Sequence, residues 1–164
     1  MTGGLRAIRG DITRLEVDVV VNAANSGLAR GGGVCGAIFA AAGPGLDEAC
    51  GALGGCPTGD ARITPGFGLP AEFIVHAVGP VWHGGDSGEA ALLESCYRRS
   101  VEVAREAGAE SIAFPALSTG IYGYPKRPAA EIAVRTLREC ADDLDVVLIA
   151  FDAETLEIYE ELLD

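Results

Sequence analysis

The run Val17-Asp18-Val19-Val20-Val21-Asn22, the loop from Ala23 to Arg30 and the string Gly31-Gly32-Gly33-Val34-Cys35-Gly36-Ala37-Ile38 together decide the fold class. Three β-branched residues in a row read as a strand buried on both faces, so a strand is expected over Val17–Asn22. The glycines that follow free the backbone to turn tightly and to approach another group without a Cβ in between. Val34 to Ala42 is alanine-rich and reads as a helix. A buried strand, a glycine loop and a helix in succession form the opening unit of an α/β layered domain.

Working outward, the same alternation continues to both ends of the 164-residue chain, a length that suits one domain. Leu5–Arg9, Ala61–Thr64, Phe73–Val78, Ser111–Phe114 and Val146–Phe151 read as strands. Leu46–Leu53, Pro128–Ala141 and Glu154–Leu163 read as helices, and Glu89–Ala107 is the clearest amphipathic one, with Gly108 as its stop signal. Thr13-Arg14-Leu15-Glu16 has the spacing of a capping box, which predicts a short helical turn after it. With helices between strands, most neighbouring strands are expected to be parallel, and ligands of such sheets sit beyond the strands' carboxyl ends. Both glycine-rich segments, Ala23–Gly33 and Pro115–Pro125, fall at those ends.

Composition narrows the partners. The net charge is −12 and Lys126 is the only lysine, which argues against nucleic acid as a partner, because that requires a basic face. Any anionic ligand must then be held by local donors, meaning backbone amides and helix N-termini. No apolar stretch approaches the roughly 20 residues a membrane helix needs, and Met1–Arg9 carries no secretory pattern, so no membrane partner and a cytoplasmic location are expected. Five cysteines without a C-x-x-C pair fit neither a disulfide framework nor a zinc site, so no metal is expected.

The first loop runs directly into a helix start, where unpaired amides and the positive dipole end point the same way, an arrangement that cradles anions. Gly31, Gly33 and Gly36 also satisfy G-x-G-x-x-G, the signature of a dinucleotide-binding dehydrogenase. In that fold, however, the motif follows its strand at once, and here Ala23–Arg30 intervene. The second loop, Ser118-Thr119-Gly120-Ile121-Tyr122-Gly123, offers hydroxyls, amides and a ring that fits a sugar or base. Alternatives stay open for individual residues. Asp11 either accepts from an exocyclic amine or caps the turn before Thr13. Asn22 and Asn25 either reach a cleft or close Asx turns. The tyrosines either meet ligand or pack on the sheet. His76, in an apolar strand, reads as a satisfied core residue.

Taken together, Gly10-Asp11-Ile12-Thr13, Val21-Asn22-Ala23-Ala24-Asn25, Gly31–Ile38, Ala41-Ala42-Gly43, His76-Ala77-Val78-Gly79-Pro80 and Phe114–Gly123 resemble the macrodomain family, in its MacroD-type branch. The resemblance implies a three-layer α/β/α sandwich with a mixed, mostly parallel central sheet that binds ADP-ribose. It implies that Asp11 and Ile12 meet the adenine, with Phe151 flanking it. Gly31, Gly32, Gly33 and Val34 would enclose the diphosphate together with Ser118, Thr119, Gly120, Ile121 and Tyr122. Asn25 would orient the distal ribose, and Asn22 would support that loop. The implied activity is hydrolysis of the ester between ADP-ribose and a protein carboxylate, or deacetylation of O-acetyl-ADP-ribose. ADP-ribose is then ligand or product, and no cofactor is required.

One position departs from the pattern. Where that branch usually carries aspartate, this chain has Cys35, and Phe39 stands where close relatives often have histidine. Cys35 beside a helix start is a candidate for a weak base or nucleophile, with Asn25 as its catalytic companion. Alternatively the ligand's own phosphate positions the water, or Cys35 merely packs and the protein reads ADP-ribose without turnover.

Overall fold

In the computed structural model, which describes residues 4–164, the elements follow in the order β1 (Leu5–Arg9), a 3-10 turn (Ile12–Arg14), β2 (Val19–Ala24), α1 (Gly33–Ala42), α2 (Pro44–Leu53), β3 (Ala61–Pro65), β4 (Phe73–Val78), α3 (Glu89–Glu106), β5 (Ser111–Pro115), α4 (Lys126–Cys140), β6 (Asp145–Ala150) and α5 (Ala153–Leu163). All six strands join one sheet in the order β1-β6-β5-β2-β4-β3. Every pairing is parallel except β3 with β4, which is antiparallel at the edge. This order, with its antiparallel edge, is not the 3-2-1-4-5-6 order of the dinucleotide-binding dehydrogenases. It removes the fold on which the G-x-G-x-x-G reading depended.

Alternation along the strands sorts the apolar side chains into two cores. Val20, Ile74, Val147 and Ile149 face Ile38, Phe39 and Leu46 of α1 and α2. Val19, Val21, Phe114 and Leu148 face Leu93, Tyr97, Val134, Leu137 and Tyr159 of α3, α4 and α5. The result is a three-layer α/β/α sandwich. Among the described residues no helix is long and apolar enough to cross a membrane.

The layering creates the place for a site. From β2 the chain travels through α1 and α2 to β3 and β4 on one side, whereas α3 carries it across to β5 on the other. The ladder between β2 and β5 consists of only Val19–Ile112 and Val20–Ala113. Beyond it, β2 stays paired with β4 as far as Ala24–Val78, and β5 with β6 as far as Pro115–Ile149. The sheet therefore parts between β2 and β5 at the carboxyl ends, the switch point at which open α/β sheets receive ligands.

Several boundaries differ from the sequence expectation, each for a local reason. The helical turn lies at Ile12–Arg14, ahead of the Thr13–Glu16 box, because Asp11 caps it: Oδ1 accepts from the Thr13 amide at 2.9 Å and from the Thr13 hydroxyl at 2.6 Å. β2 starts and ends two residues late. The Asp18 carboxylate is occupied by the amides of Glu110 and Ser111, which ties the entry of β2 to that of β5. Pro44 and Pro128 lie inside the first turns of α2 and α4, where a missing N–H costs nothing. β6 ends at Ala150, which leaves Phe151 past the strand.

Candidate ligand-binding site

The first loop is built from underneath. Asn22, which the register of β2 points toward α1, is fully buried. Its Nδ2 lies 3.1 Å from His76 Nδ1 and 3.7 Å from Cys35 Sγ. His76 Nε2 lies 3.0 Å from the Thr64 hydroxyl, which also contacts the Pro65 carbonyl at 3.1 Å. With the Asn22 amide donating to Nδ1, the imidazole carries its proton on Nε2 and donates it to Thr64. Burial lowers the His76 pKa to about 4, so the ring is neutral at ordinary pH. Asn22 Oδ1 is buried without a partner. The site's floor is thus a neutral polar cluster set into an apolar layer.

Above it, Asn25 closes the loop on itself. Its Oδ1 accepts from the Ala29 amide at 3.0 Å and its Nδ2 donates to the Ala29 carbonyl at 2.9 Å. One lone pair and one N–H of this amide remain for other partners. Leu28, at φ 54°, is buried and pins the loop to the α1 side of the sheet. At Gly36 a Cβ would stand 2.6 Å from the Gly31 carbonyl oxygen, so the motif's last glycine exists to let the loop lie on its own helix. Gly33 sits at φ +55°, a conformation that disfavours any side chain. The first turn of α1 contains no acidic residue and Gly32 supplies no side-chain cap. Its leading amides, those of Gly33 and Val34 among them, stay available to an anion.

Cys35 is 6% exposed and belongs to the core beneath the loop, its thiol 3.8 Å from the Ala29 carbonyl. A Cβ on Gly31 would touch both Asn25 Nδ2 and Cys35 Sγ at 3.7 Å. Asn22, Asn25, Gly31 and Cys35 therefore form one contact group.

The second loop is built from the side. Ser118 adopts φ 68° and is 8% exposed, its hydroxyl unpartnered and pressed so close to Gly79 that a Cβ there would fall 2.2 Å from Oγ. The Tyr124 amide donates to the Ser118 carbonyl at 2.9 Å and the Trp82 amide to the Tyr122 carbonyl at 2.8 Å. Thr119 is half-buried, Gly120 is open, Tyr122 is half-buried and Ile121 is wholly exposed. Tyr124, by contrast, packs its ring on Trp82 with centroids 4.6 Å apart. Of the loop tyrosines, one is half-buried and one is core. Among the described residues no backbone hydrogen bond joins the two glycine-rich loops.

At the far end of the same edge, Asp11 keeps an exposed carboxylate, held below the usual range by the Thr13 hydroxyl and amide. Asp11 is thus both a cap and an open acceptor, and either sequence reading is compatible with its position. Ile12 is buried in the α1-side core. Phe151 is 81% exposed beside β1, its carbonyl accepting from Arg9 Nε at 3.4 Å. Two residues were missed from sequence. Arg30 stacks its guanidinium 5.9 Å from the Phe39 ring, which places a cation at the first loop. Trp82 braces the second loop; its only sequence signal was an aromatic next to Gly84-Gly85. A groove of about 650 Å³ lies elsewhere, between β1 and α5, where Glu157, Glu160, Glu161 and Asp164 outnumber Arg6 and disfavour an anion.

Comparison with known proteins agrees with this architecture. A family model described as the Macro domain matches residues 21–133. A macro domain-containing protein of Ralstonia nicotianae is 58% identical over 161 residues, covering 98% of this chain and 94% of its own. A protein of Enterobacter cloacae named O-acetyl-ADP-ribose deacetylase is 51% identical over 164 residues, covering 95% and 91%. Among solved structures, the Oceanobacillus iheyensis macrodomain with ADP superposes with a TM-score of 0.92 at 42% identity, covering 96% of this chain and 88% of that one. The chain belongs to the macrodomain family.

Proposed function

We propose that the chain binds ADP-ribose in the crevice between the carboxyl ends of β2 and β5 and hydrolyses its esters, O-acetyl-ADP-ribose first among them. The observation that carries this reading is the early end of the β2–β5 ladder at Val20–Ala113. It leaves an uncapped, glycine-led helix start past the end of β2 and a loop that turns through Ser118 at φ 68° past the end of β5. The names of the Enterobacter cloacae deacetylase and of the ADP-bound Oceanobacillus iheyensis macrodomain support it.

In this arrangement the amides of Gly31–Val34 take one side of the diphosphate and those of Ser118–Tyr122 the other, with Arg30 offsetting part of the protein's negative field. Asp11 accepts from the adenine amino group, and Phe151 covers the base. The free N–H and lone pair of Asn25 orient the distal ribose. Cys35 replaces a carboxylate and lies beneath the loop, so the attacking water takes its position from the ligand's phosphate. Mono-ADP-ribosyl esters on protein carboxylates present the same acyl linkage and are the second substrate class.

A reader without turnover is the other reading, and the burial of Cys35 against the Ala29 carbonyl favours it. Incubation with O-acetyl-ADP-ribose separates the two. Acetate release well above a Gly33→Glu control is expected for the hydrolase; tight ADP-ribose binding with no release establishes the reader. Cys35→Asp then decides the thiol's part. A rate gain of about tenfold or more identifies the cysteine as a tolerated loss of a base, and a rate loss identifies it as a participant.

A further inference from the structure

The segment that joins β4 to α3, Gly79 to Gly88, is organised around one carboxylate that the reaction does not use. Glu89, the first residue of α3, is 1% exposed in a protein of net charge −12. A buried carboxylate normally needs a cation. Among the described ion pairs Glu89 has none; three backbone amides meet it instead. Oε2 accepts from His83 at 2.8 Å and from Gly85 at 3.0 Å, and Oε1 accepts from Ser87 at 2.7 Å. These contacts, the His83 amide foremost, hold its pKa at about 2. The helix start beneath it adds a favourable dipole.

What this knot holds is Trp82. A Cβ on Gly85, which sits at φ +96°, would stand 3.0 Å from the indole, so the knotted turn lies directly against the ring. Trp82 in turn grips the second loop twice, through its amide to the Tyr122 carbonyl and through its ring on Tyr124. Glu89 also lies near enough to Tyr124 that, after burial, its charge pushes the phenol's pKa up. Gly79, at the start of the same segment, backs Ser118. Outside the loop's own turns, the described backbone hydrogen bond to Ser118–Tyr124 and the aromatic contact on Tyr124 both come from the segment that Glu89 ties, while the Tyr124 ring also reaches the core under α3 and α4.

We propose that Glu89 is a positioning residue for the second loop: by gathering the His83, Gly85 and Ser87 amides it fixes Trp82, and through Trp82 it holds Ser118–Tyr124 in the shape that receives the diphosphate. The inference rests on the ADP-ribose reading and adds to it a residue that touches no ligand. Glu89→Gln keeps the volume, but its NH₂ faces an amide donor where a carboxylate oxygen accepted, so at least one of the three bonds is lost.

Trp82 is the only tryptophan, and its fluorescence reports the loop directly. Titration of the full chain with ADP is expected to give a Kd about tenfold weaker in Glu89→Gln. On O-acetyl-ADP-ribose, KM should rise and kcat stay near that of the parent. Hydrogen exchange on the unliganded variant should quicken at residues 82–87 and 118–124 together, with 31–36 unchanged. Faster exchange confined to 83–88, with Kd unchanged, would overturn the proposal. If Glu89→Gln does not fold, exchange of the parent chain decides: amides 83, 85, 87 and 124 should open with one common protection factor, and unrelated protection would overturn the coupling. A parent chain that binds no ADP rejects the proposed function, while the exchange result still judges the coupling by itself.

Discussion

The two glycine-rich loops follow the diverging carboxyl ends of β2 and β5 and are stabilised in opposite ways. The loop after β2 stands on a floor: Asn22, His76, Cys35 and Thr64 form a buried cluster around a neutral imidazole, and Asn25 closes the loop over it. The loop after β5 has no such polar floor: Tyr124 anchors its end in the core, and Trp82 and Gly79, whose own segment is tied by an ionised carboxylate, brace it laterally. A floor of neutral groups is rigid but intolerant of charge, whereas a lateral brace is adjustable and depends on an anion staying ionised. The helix-start side is therefore expected to be the stiffer of the two and the tyrosine side the more compliant.

The largest test of that contrast is Gly33→Glu. The backbone at φ +55° charges a side chain about 1–2 kcal/mol for its conformation. The new carboxylate then stands where the diphosphate should sit, and its repulsion is weakly screened in a crevice. Calorimetric titration is expected to show ADP-ribose affinity down by about a thousandfold, with the circular dichroism of the fold unchanged. Retained binding would mean that the rigid loop does not carry the anion.

Acid should attack the floor before the brace. His76 titrates at about 4 in the fold against about 6.5 unfolded, so the unfolded chain binds the extra proton between those values. Its contribution is complete above pH 6.5 and falls as pH drops, by about 3 kcal/mol at pH 4. The groups packed against the ring (Asn22, Thr64, Phe39 and the Cys50 thiol) offer no compensating charge. Glu89, with its pKa held at about 2, loses its contribution only at lower pH, from about 4.5 downward. Urea unfolding from pH 7 to pH 4 should show the slope, and His76→Gln, which cannot titrate, should flatten it. An unchanged slope in that variant would assign the acid sensitivity elsewhere.

Gly36→Ala tests the same loop more gently. Its Cβ would meet the Gly31 carbonyl at 2.6 Å, backbone against backbone, so the loop must lift off α1. Crowding of this kind costs about 1–3 kcal/mol. Thermal unfolding should register that loss, with ADP-ribose affinity falling by about tenfold through the displaced amides.

How much of this was legible in the sequence follows from the same contrast. The first loop was readable because its signals are local: a β-branched strand, a glycine string and a helix start adjoin in the chain, and Gly36 and Gly31 are only five residues apart. The α/β class followed from periodicity alone, and the three-layer arrangement from the family's motifs. The brace was not readable, because Trp82 and Tyr122 are 40 residues apart and meet only when the sheet order is known. Asp18 delayed β2 by pairing with amides more than 90 residues away, which no local window reports. His76 was placed in the core correctly, yet its contact with Asn22 depends on the β2–β4 register. The mixed character of the sheet was implied by the resemblance, but which strand runs antiparallel depends on the same non-local pairing.

Ile121 marks the compliant end of the comparison. Among the described residues it is the one large apolar side chain left wholly exposed, at the tip of the loop that lacks a polar floor. An exposed Ile that packs on nothing in the free protein contributes almost nothing to stability, so Ile121→Ser should shift unfolding by no more than about 0.5 kcal/mol. If the side chain folds over bound ADP-ribose instead, burial of its apolar surface is realised only in the complex, and affinity should fall by several-fold while stability stays put. The two measurements thus separate a residue kept for the ligand from one kept for the fold. A variant that loses stability and leaves affinity unchanged would reverse the assignment, making the tip of the second loop part of the protein's own packing.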